Sequence, residues 1–371
     1  MILNTRKCDR KFCDLVNEHP IHPRLLDVIK LFGLYGVYRS HTPVIDRSLI
    51  TALVERWRPE PHTFHFRTGE STITLQDVEI LYGLPVKGNP VGYEPQRSVA
   101  DWLLGFSPQP QDLKHSSLKV SALNDMVNEK ARCYMFWMIA GILLADTSSG
   151  LLKLMYLLML EDITTLGSYC WGSATLTYLY RFLCKASQSS QNEIVGFLPL
   201  LQFIWKPYSS DIIESLPEYC RVGRDIWRGR VPIFCWDVVE VHLPDRVIRQ
   251  FGLVHAIPSS FAFDATHFNH DRRGRSKTNR ELEHAQWLHF WNHIDKYVWN
   301  SPILHGSLWY DDPYLIWFRR ITHFIIGNRI SSLQQQQGHM PNATTYEIMV
   351  DVFVYGFFIL IRVMFKNILD V

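Results

Sequence analysis

Apolar and polar positions recur along this chain with two different periods, and each change of period marks an element. Between His22 and Tyr38, Leu25, Val28, Ile29 and Phe32 fall at helical spacing behind Pro23, so the stretch reads as one amphipathic helix, loosened at its end by Gly33 and Gly36. A second helix is expected over 46–57, with Asp46 as its N-cap and Leu49, Leu53 and Trp57 inward. Pro59 stops the helical period and period two takes over. Thr63 to Phe66 reads as a strand, Arg67 to Ser71 with Gly69 as its turn, and Thr72 to Thr74 as the return strand of a β-hairpin. Leu75, Val78, Leu81 and Tyr82 resume helical spacing, with Thr74 as N-cap and Gly83, Pro85 and Gly88 as stop signals.

Residues 86–116 form a connector rich in Pro, Gly and Ser, with a short helical stretch at 98–104. Residues 117–145 begin amphipathic (Leu118, Leu123, Val127) and become apolar all round, which predicts a buried central helix. Asp146 to Gly150 breaks it, and 151–160 reads as another buried helix. Over 166–186, Trp171, Leu176, Leu179, Tyr180 and Leu183 line one packed side, and a further helix is expected over 281–298. The fold class is therefore mainly α: a large helical domain with a small N-terminal β-hairpin. Residues 1–20 read as loosely ordered, 21–330 as the domain, 331–347 as a polar linker holding Gln334 to Gln337, and 348–371 as an apolar tail.

Composition narrows the function classes. A chain of 371 residues with 47% hydrophobic content and twelve Trp can bury a full core, and 20% charged residues place it among globular proteins. The net charge of +2 argues against a dedicated polyanion binder, so any nucleic-acid surface has to be local. Seven Cys without CxxC spacing suit reduced thiols of a cytosolic or nuclear protein. The first residues lack an apolar secretory core. Two apolar runs bear comparison with a membrane span. That at 134–145 is too short, and that at 348–365 is interrupted by Asp351, Gly356 and Arg362, so no membrane partner is expected.

Four ordered segments carry a family resemblance. The first is W-R-P-E-P-H-T-F-H leading into T-L-Q-D-V and G-L-P-V-K-G, holding Trp57, Pro59, His62, Phe64, Asp77, Gly83 and Pro85. The second is C-W-G-S-A-T-L-T-Y-L-Y-R-F-L-C, with Trp171, Gly172 and Ser173. The third is F-I-W-K-P at 203–207, and the fourth P-D-R-V-I-R-Q-F-G, with Asp245, Arg246, Gln250, Phe251 and Gly252. Together they resemble the plant mobile domain, often labelled aminotransferase-like. The resemblance implies a nuclear protein of transposon-related ancestry, connected with silencing of transposable elements, gene expression and meristem maintenance. It implies protein partners, either type-7 serine/threonine phosphatase-like proteins or other mobile-domain proteins, and neither a reaction nor a cofactor. One departure stands out: G-F-L-P-L-L-Q at 196–202 runs straight into Phe203, where the family carries a longer helical stretch, so an internal deletion near 202 is expected.

Candidate chemistry is sparse. Pyridoxal phosphate would need a Schiff-base Lys, a glycine-rich phosphate cup at a helix N-terminus and an α/β rhythm; Lys153, Lys185 and Lys206 have none of these around them. Cys170-Trp171-Gly172-Ser173 lacks the second glycine of a nucleophile elbow and reads as packing at a helix start. Residues 74–86 resemble the first half of a helix-turn-helix, but Pro85, Gly88 and Pro90 occupy the place of a recognition helix. Among the histidines, only His289 and His293 have i,i+4 spacing, and H-F-W-N-H lacks the glutamate of a zinc motif. The best surface candidate is the basic stretch with Arg272, Arg273, Arg275, Lys277 and Arg280, as a phosphate contact or import signal. The leading expectation is a non-catalytic nuclear interaction module; the alternatives are a nucleic-acid-binding domain using that stretch, or a degenerate inactive copy.

Overall fold

The computed structural model of the chain describes residues 3–5, 12, 14, 21–39, 45–92, 108–123, 131–146, 150–188, 190–202, 207–260, 279–306 and 311–322. The expected helical stretch at 98–104, the linker 331–347 and the tail 348–371 lie outside these residues, as does most of 1–20.

The first predicted helix is two. Helix α1 (Pro23–Leu31) starts on His22, whose side chain accepts from the Arg24 N–H, and buries Leu25 and Ile29. Gly33 then takes φ +69, a left-handed conformation that ends the helix, and α2 (Tyr35–Arg39) restarts beyond it. Helix α3 (Arg47–Arg56) is capped by Asp46, which accepts from the Ser48 and Leu49 N–H groups. It buries Ile50, Leu53 and Val54, while Leu49 stays half-buried.

The N-terminal sheet differs from the expected hairpin. Strands β1 (Trp57–Arg58), β2 (Thr63–Phe66) and β3 (Gly69–Ser71) pair antiparallel in that order. The turn is Arg67 and Thr68, so the return strand begins three residues earlier than Thr72. Gly69 at φ +126 enters the strand directly and shortens the loop. Helix α4 (Leu75–Tyr82) follows with a full capping box: Thr74 and Asp77 each bond the other's backbone N–H. Gly83 at φ +61 ends it, and residues 84–92 run without a helix, Asn89 pairing with Tyr169 and Val91 with Cys235.

Of the long helix expected over 117–145, the described residues show an α-helix from Ala131, and 124–130 lie outside them. Ser117–Lys119 is instead a strand paired with Leu113–Lys114 and Leu151–Lys153. Helix α5 (Ala131–Trp137) continues into a wider π-helical turn over Met138–Leu143, buried on all sides. The segment expected as a helix over 151–160 is that strand followed by a 3-10 helix, Leu154–Leu160.

The centre of the molecule is α6 (Trp171–Ala186), a 16-residue helix buried along almost its whole length. It packs on α4 and on a second hairpin absent from the sequence reading, β4 (Val231–Cys235) with β5 (Val238–His242). Both strands are buried at every position, so their apolar run gives no alternation to distinguish strand from helix. A run of 3-10 turns (Pro244–Phe251) ends at Gly252. The helix expected over 281–298 is broken into Arg280–Glu283, α7 (Ala285–Asn292) and a turn at Ile294–Tyr297. Helix α8 (Pro313–Ile321) lies against β2 and β3 through Phe318 and Tyr314. The fold is predominantly helical with several small sheets, and one hydrophobic core extends from Leu3 to Trp291. Among the described residues no helix is long and apolar enough to cross a membrane.

Gly172, in the first turn of α6, donates its N–H to the Pro85 carbonyl at 2.8 Å. A Cβ there would lie 2.8 Å from the Leu84 carbonyl oxygen and 3.0 Å from that of Pro85, backbone atoms that cannot swing aside. Gly172→Ala is expected to lower stability by about 1–3 kcal/mol. The measurement is a urea titration, in which the midpoint falls at unchanged slope; an unmoved midpoint would refute this close packing.

Candidate functional site

The first, second and fourth of the segments singled out in the sequence meet around α6, and their polar groups form one buried system; of the third, residues 203–206 lie outside the described residues. His62 sits between β1 and β2 at φ +53, stacked on Tyr180 of α6 at 4.9 Å. Its Nδ1 lies 3.0 Å from the Val241 carbonyl oxygen and its Nε2 3.0 Å from Glu240 Oε2. Both neighbours are acceptors, so each ring nitrogen carries a proton and the ring is an imidazolium. Burial opposes that charge, but Cys184 and the Glu240 carboxylate beside it prevail and raise the pKa to about 10. Glu240 also holds Arg181 Nε at 2.7 Å. His62, Arg181 and Glu240 are 2%, 4% and 0% exposed, a closed ionic group of cation, anion and cation.

Around it the chain is tied together by uncharged contacts. Trp57 donates its indole N–H to Cys184 Sγ at 3.3 Å, Thr72 its hydroxyl to the His62 carbonyl at 2.6 Å, and Tyr180 its hydroxyl to the Ile73 carbonyl. The opposite choice is made at His242: Nδ1 donates to the Gly229 carbonyl at 2.7 Å, while Nε2 accepts from the Leu75 N–H at 3.3 Å. Burial lowers the His242 pKa to about 4, so that ring is neutral.

The 244–251 turns clamp the N-terminal sheet. Arg246 reaches Glu70 Oε1 from both Nε (2.9 Å) and Nη2 (2.6 Å), Arg249 donates to the Thr68 carbonyl, and Gln250 exchanges two hydrogen bonds with the Thr72 backbone at 2.9 and 2.8 Å. Burial pushes the Glu70 carboxyl up, but His65 and Arg246 together hold it below the usual range. Asp245, also buried, faces Arg230 Nε at 3.3 Å. On α4, Asp77 accepts from the Tyr208 hydroxyl at 3.1 Å, and burial raises its pKa to about 6. Glu79 accepts the Gly223 N–H and the Trp227 indole N–H, and burial raises it to about 7.

The singled-out residues thus have internal places. Trp57, Phe64 and Trp171 are core, Pro59 is half-buried in the turn after β1, and Phe251 packs on the core. Gly83, Pro85 and Gly252 shape chain reversals or close approaches. Ser173 is buried in the first turn of α6, not exposed as a nucleophile. Of the basic stretch, Arg272, Arg273, Arg275 and Lys277 lie outside the described residues. Arg280 does not join a solvent-facing patch: it is buried, its Nε 2.6 Å from Asp237 Oδ1. His289 and His293 touch at 4.7 Å, but the His293 Nδ1 faces the His289 carbonyl, and the described residues contain no group of three metal ligands. Arg181, Glu240, Glu70 and Cys184 also belong to this system, although spacing alone gives them no role. Their signal was a charge inside an otherwise apolar run, as in T-L-T-Y-L-Y-R-F-L-C and V-V-E-V-H.

Cys184, His62 and Glu240 are the residue types of a nucleophile, base and acid set. The geometry denies them that use. All three are sealed beneath Trp57 and Tyr180, and an imidazolium protonated at both nitrogens has no lone pair with which to take a thiol proton.

Two outcomes follow from the ionic group. The folded-state pKa of His62 is raised from 6.5 to about 10, so its contribution to stability is fully present below pH 6.5 and is lost as pH rises through about 10. Thermal unfolding of the native chain is expected to weaken across that window, and His62→Gln to lose this part of the slope; identical pH profiles would contradict a charged His62. Arg181→Met leaves Glu240 and His62 without their third member and is expected to cost about 3–5 kcal/mol. Denaturant titration checks it, and a loss below 1 kcal/mol, as for an exposed pair, would refute the arrangement.

Comparison with known proteins accords with this assembly. The family profile described as plant mobile domain matches residues 33–203 and 202–319. Among curated proteins of Arabidopsis thaliana, the chain is 33% identical to "Serine/threonine-protein phosphatase 7 long form homolog" over 393 positions, covering 84% of this chain and 29% of that protein. It is 26% identical to "Protein MAIN-LIKE 2", covering 88% of this chain and 59% of the relative. With "Protein MAINTENANCE OF MERISTEMS" the identity is 29%, over 78% of this chain and 72% of that one. The chain therefore spans less than two thirds of the first two relatives. No solved structure matches. With both matched segments joined around α6, the chain belongs to the plant mobile domain family.

Proposed function

We propose that this chain is a non-catalytic interaction module that acts in a nuclear complex, in the setting of gene expression, transposable-element silencing and meristem maintenance. One observation carries the reading: the family's polar motif residues are spent on one another. His62, Asp77, Arg246 and Gln250 each hold another part of the chain, which leaves none of them turned outward toward a substrate. Fusion or pairing with type-7 phosphatase-like or other mobile-domain proteins fits a domain whose interior is fixed and whose exterior is left to partners. The phosphatase relative lends no activity here, because the match covers 29% of it. A nucleic-acid surface built on the basic stretch is disfavoured by the engagement of Arg280 with Asp237.

The test is affinity capture of the tagged chain from plant nuclei, beside a variant ending at Gly327. Both are expected to retain a mobile-domain or type-7 phosphatase-like protein. Exclusion of both from the nucleus, or capture of neither class, would overturn the reading.

A further inference from the structure

Helix α8 lies apart from the main core. Its Tyr314, Leu315 and Phe318 form a small apolar cluster of their own. The contacts that fasten this cluster come from charged or titratable side chains. Phe318 meets the His65 ring edge-on at 5.1 Å, and Thr322 Oγ1 lies 3.0 Å from His65 Nδ1. The Tyr314 hydroxyl donates to Glu70 Oε2 at 3.2 Å and accepts the Glu70 N–H at 3.2 Å. Arg246 lies over Trp317 at 5.0 Å and Arg249 over Tyr314 at 5.5 Å.

One further contact of α8 inverts the usual order of burial. Between residues 251 and 260 the only buried residue is His255, 4% exposed, while Val254 and Ile257 stand 37% and 50% exposed. Val and Ile are ordinarily buried in preference to His. An antiparallel pair holds the segment in this orientation: the Val254 N–H donates to the Pro302 carbonyl at 2.8 Å and the Leu304 N–H to that of Gly252 at 2.9 Å. The His255 ring stacks on Tyr314 at 3.5 Å, with the planes 17° apart. Neither ring nitrogen closes a hydrogen bond within the protein. A buried polar atom in that state opposes folding.

The surroundings also resist a proton on this ring. Burial, then the Arg249 and Arg246 guanidiniums, hold the His255 pKa down to about 3, against the pull of Glu70 and the Asp245 backbone. The Asp245 carboxylate is itself committed to Arg230, 3.3 Å away. With α8 docked the ring is therefore neutral, whereas in water it takes a proton near 6.5.

We propose that α8 is an acid-released latch: protonation of His255, stacked on Tyr314 and flanked by Arg249 and Arg246, frees the helix from the β2–β3 sheet and uncovers Glu70. Docking is fully supported above pH 6.5 and weakens as pH falls from 6.5 toward 3, because release returns the ring to water. Glu70, held below the ordinary carboxylate range, adds to the release only below pH 4.5.

The experiment is hydrogen exchange of the full chain between pH 6.5 and 4.5, corrected for the intrinsic pH dependence of amide exchange. The opening constant of 313–321 is expected to rise about fiftyfold, the effect of one proton taken up on release. Helix α6 is expected to exchange more slowly than α8 at each pH, which separates release from unfolding of the whole chain. His255→Phe keeps a ring against Tyr314 but takes no proton, and its α8 opening is expected to change by less than about threefold over the same range. His255→Gln is expected to behave likewise, without the larger ring. His65→Gln is expected to retain the rise. A flat native profile, joint exchange of α8 and α6, a full rise in both His255 variants, or loss of the rise in His65→Gln with α6 still protected would overturn the proposal.

Discussion

The ionic group His62–Glu240–Arg181 is the constraint on which the rest of the molecule depends. It joins a loop near the N-terminus, the central helix and a strand more than fifty residues beyond it. A buried carboxylate is tolerable only while its cations are in place, because each unpaired charge in the interior costs several kcal/mol, about as much as a typical interaction network can supply. The three elements therefore cannot drift apart singly. His62 accepts a left-handed backbone to reach this position, a conformation uncommon outside glycine, and its two acceptors fix its charge.

Neutral contacts extend that constraint outward. Gln250 behaves as a strand partner, giving Thr72 the donor and acceptor that a neighbouring backbone would otherwise provide. Arg246 and Tyr314 converge on Glu70, so α8 and the 244–251 turns are fastened to the same carboxylate. The sheet β1–β3 is too short to stand alone. It persists because these side chains occupy its free hydrogen-bonding positions.

Much of this was legible in the sequence, and the failures have physical causes. Caps and stops were plain at Asp46, Thr74 and Gly83, where a local side chain or a glycine decides the backbone. The split at Gly33 was visible only as a loosening, since a glycine inside a helical pattern does not declare which sign its φ takes. The hairpin β4–β5 was hidden by burial on both faces. The segments over 117–119 and 151–153 lie in runs of helix-like apolar spacing yet pair as strands, a tertiary choice that local propensity does not encode. Arg280 looked like one member of a basic run, and only the fold brings Asp237 to it from 43 residues away. Side-chain pairing across the chain is the part that spacing alone withholds.

An interior organised in this way separates two kinds of sequence requirement. The residues that make the family recognisable, such as Trp57, His62, Trp171 and Arg246, answer to packing and to charge closure within the domain. A change there acts through folding, and its effect on any activity is indirect. Whatever distinguishes one such domain from another must then be written on the exposed positions. Val222 is 56% exposed and has no comparable duty inside the fold. An apolar residue left in water there costs the folded chain little and gives a partner something to bury. The separation allows one core to be kept while its surface is adapted to different complexes.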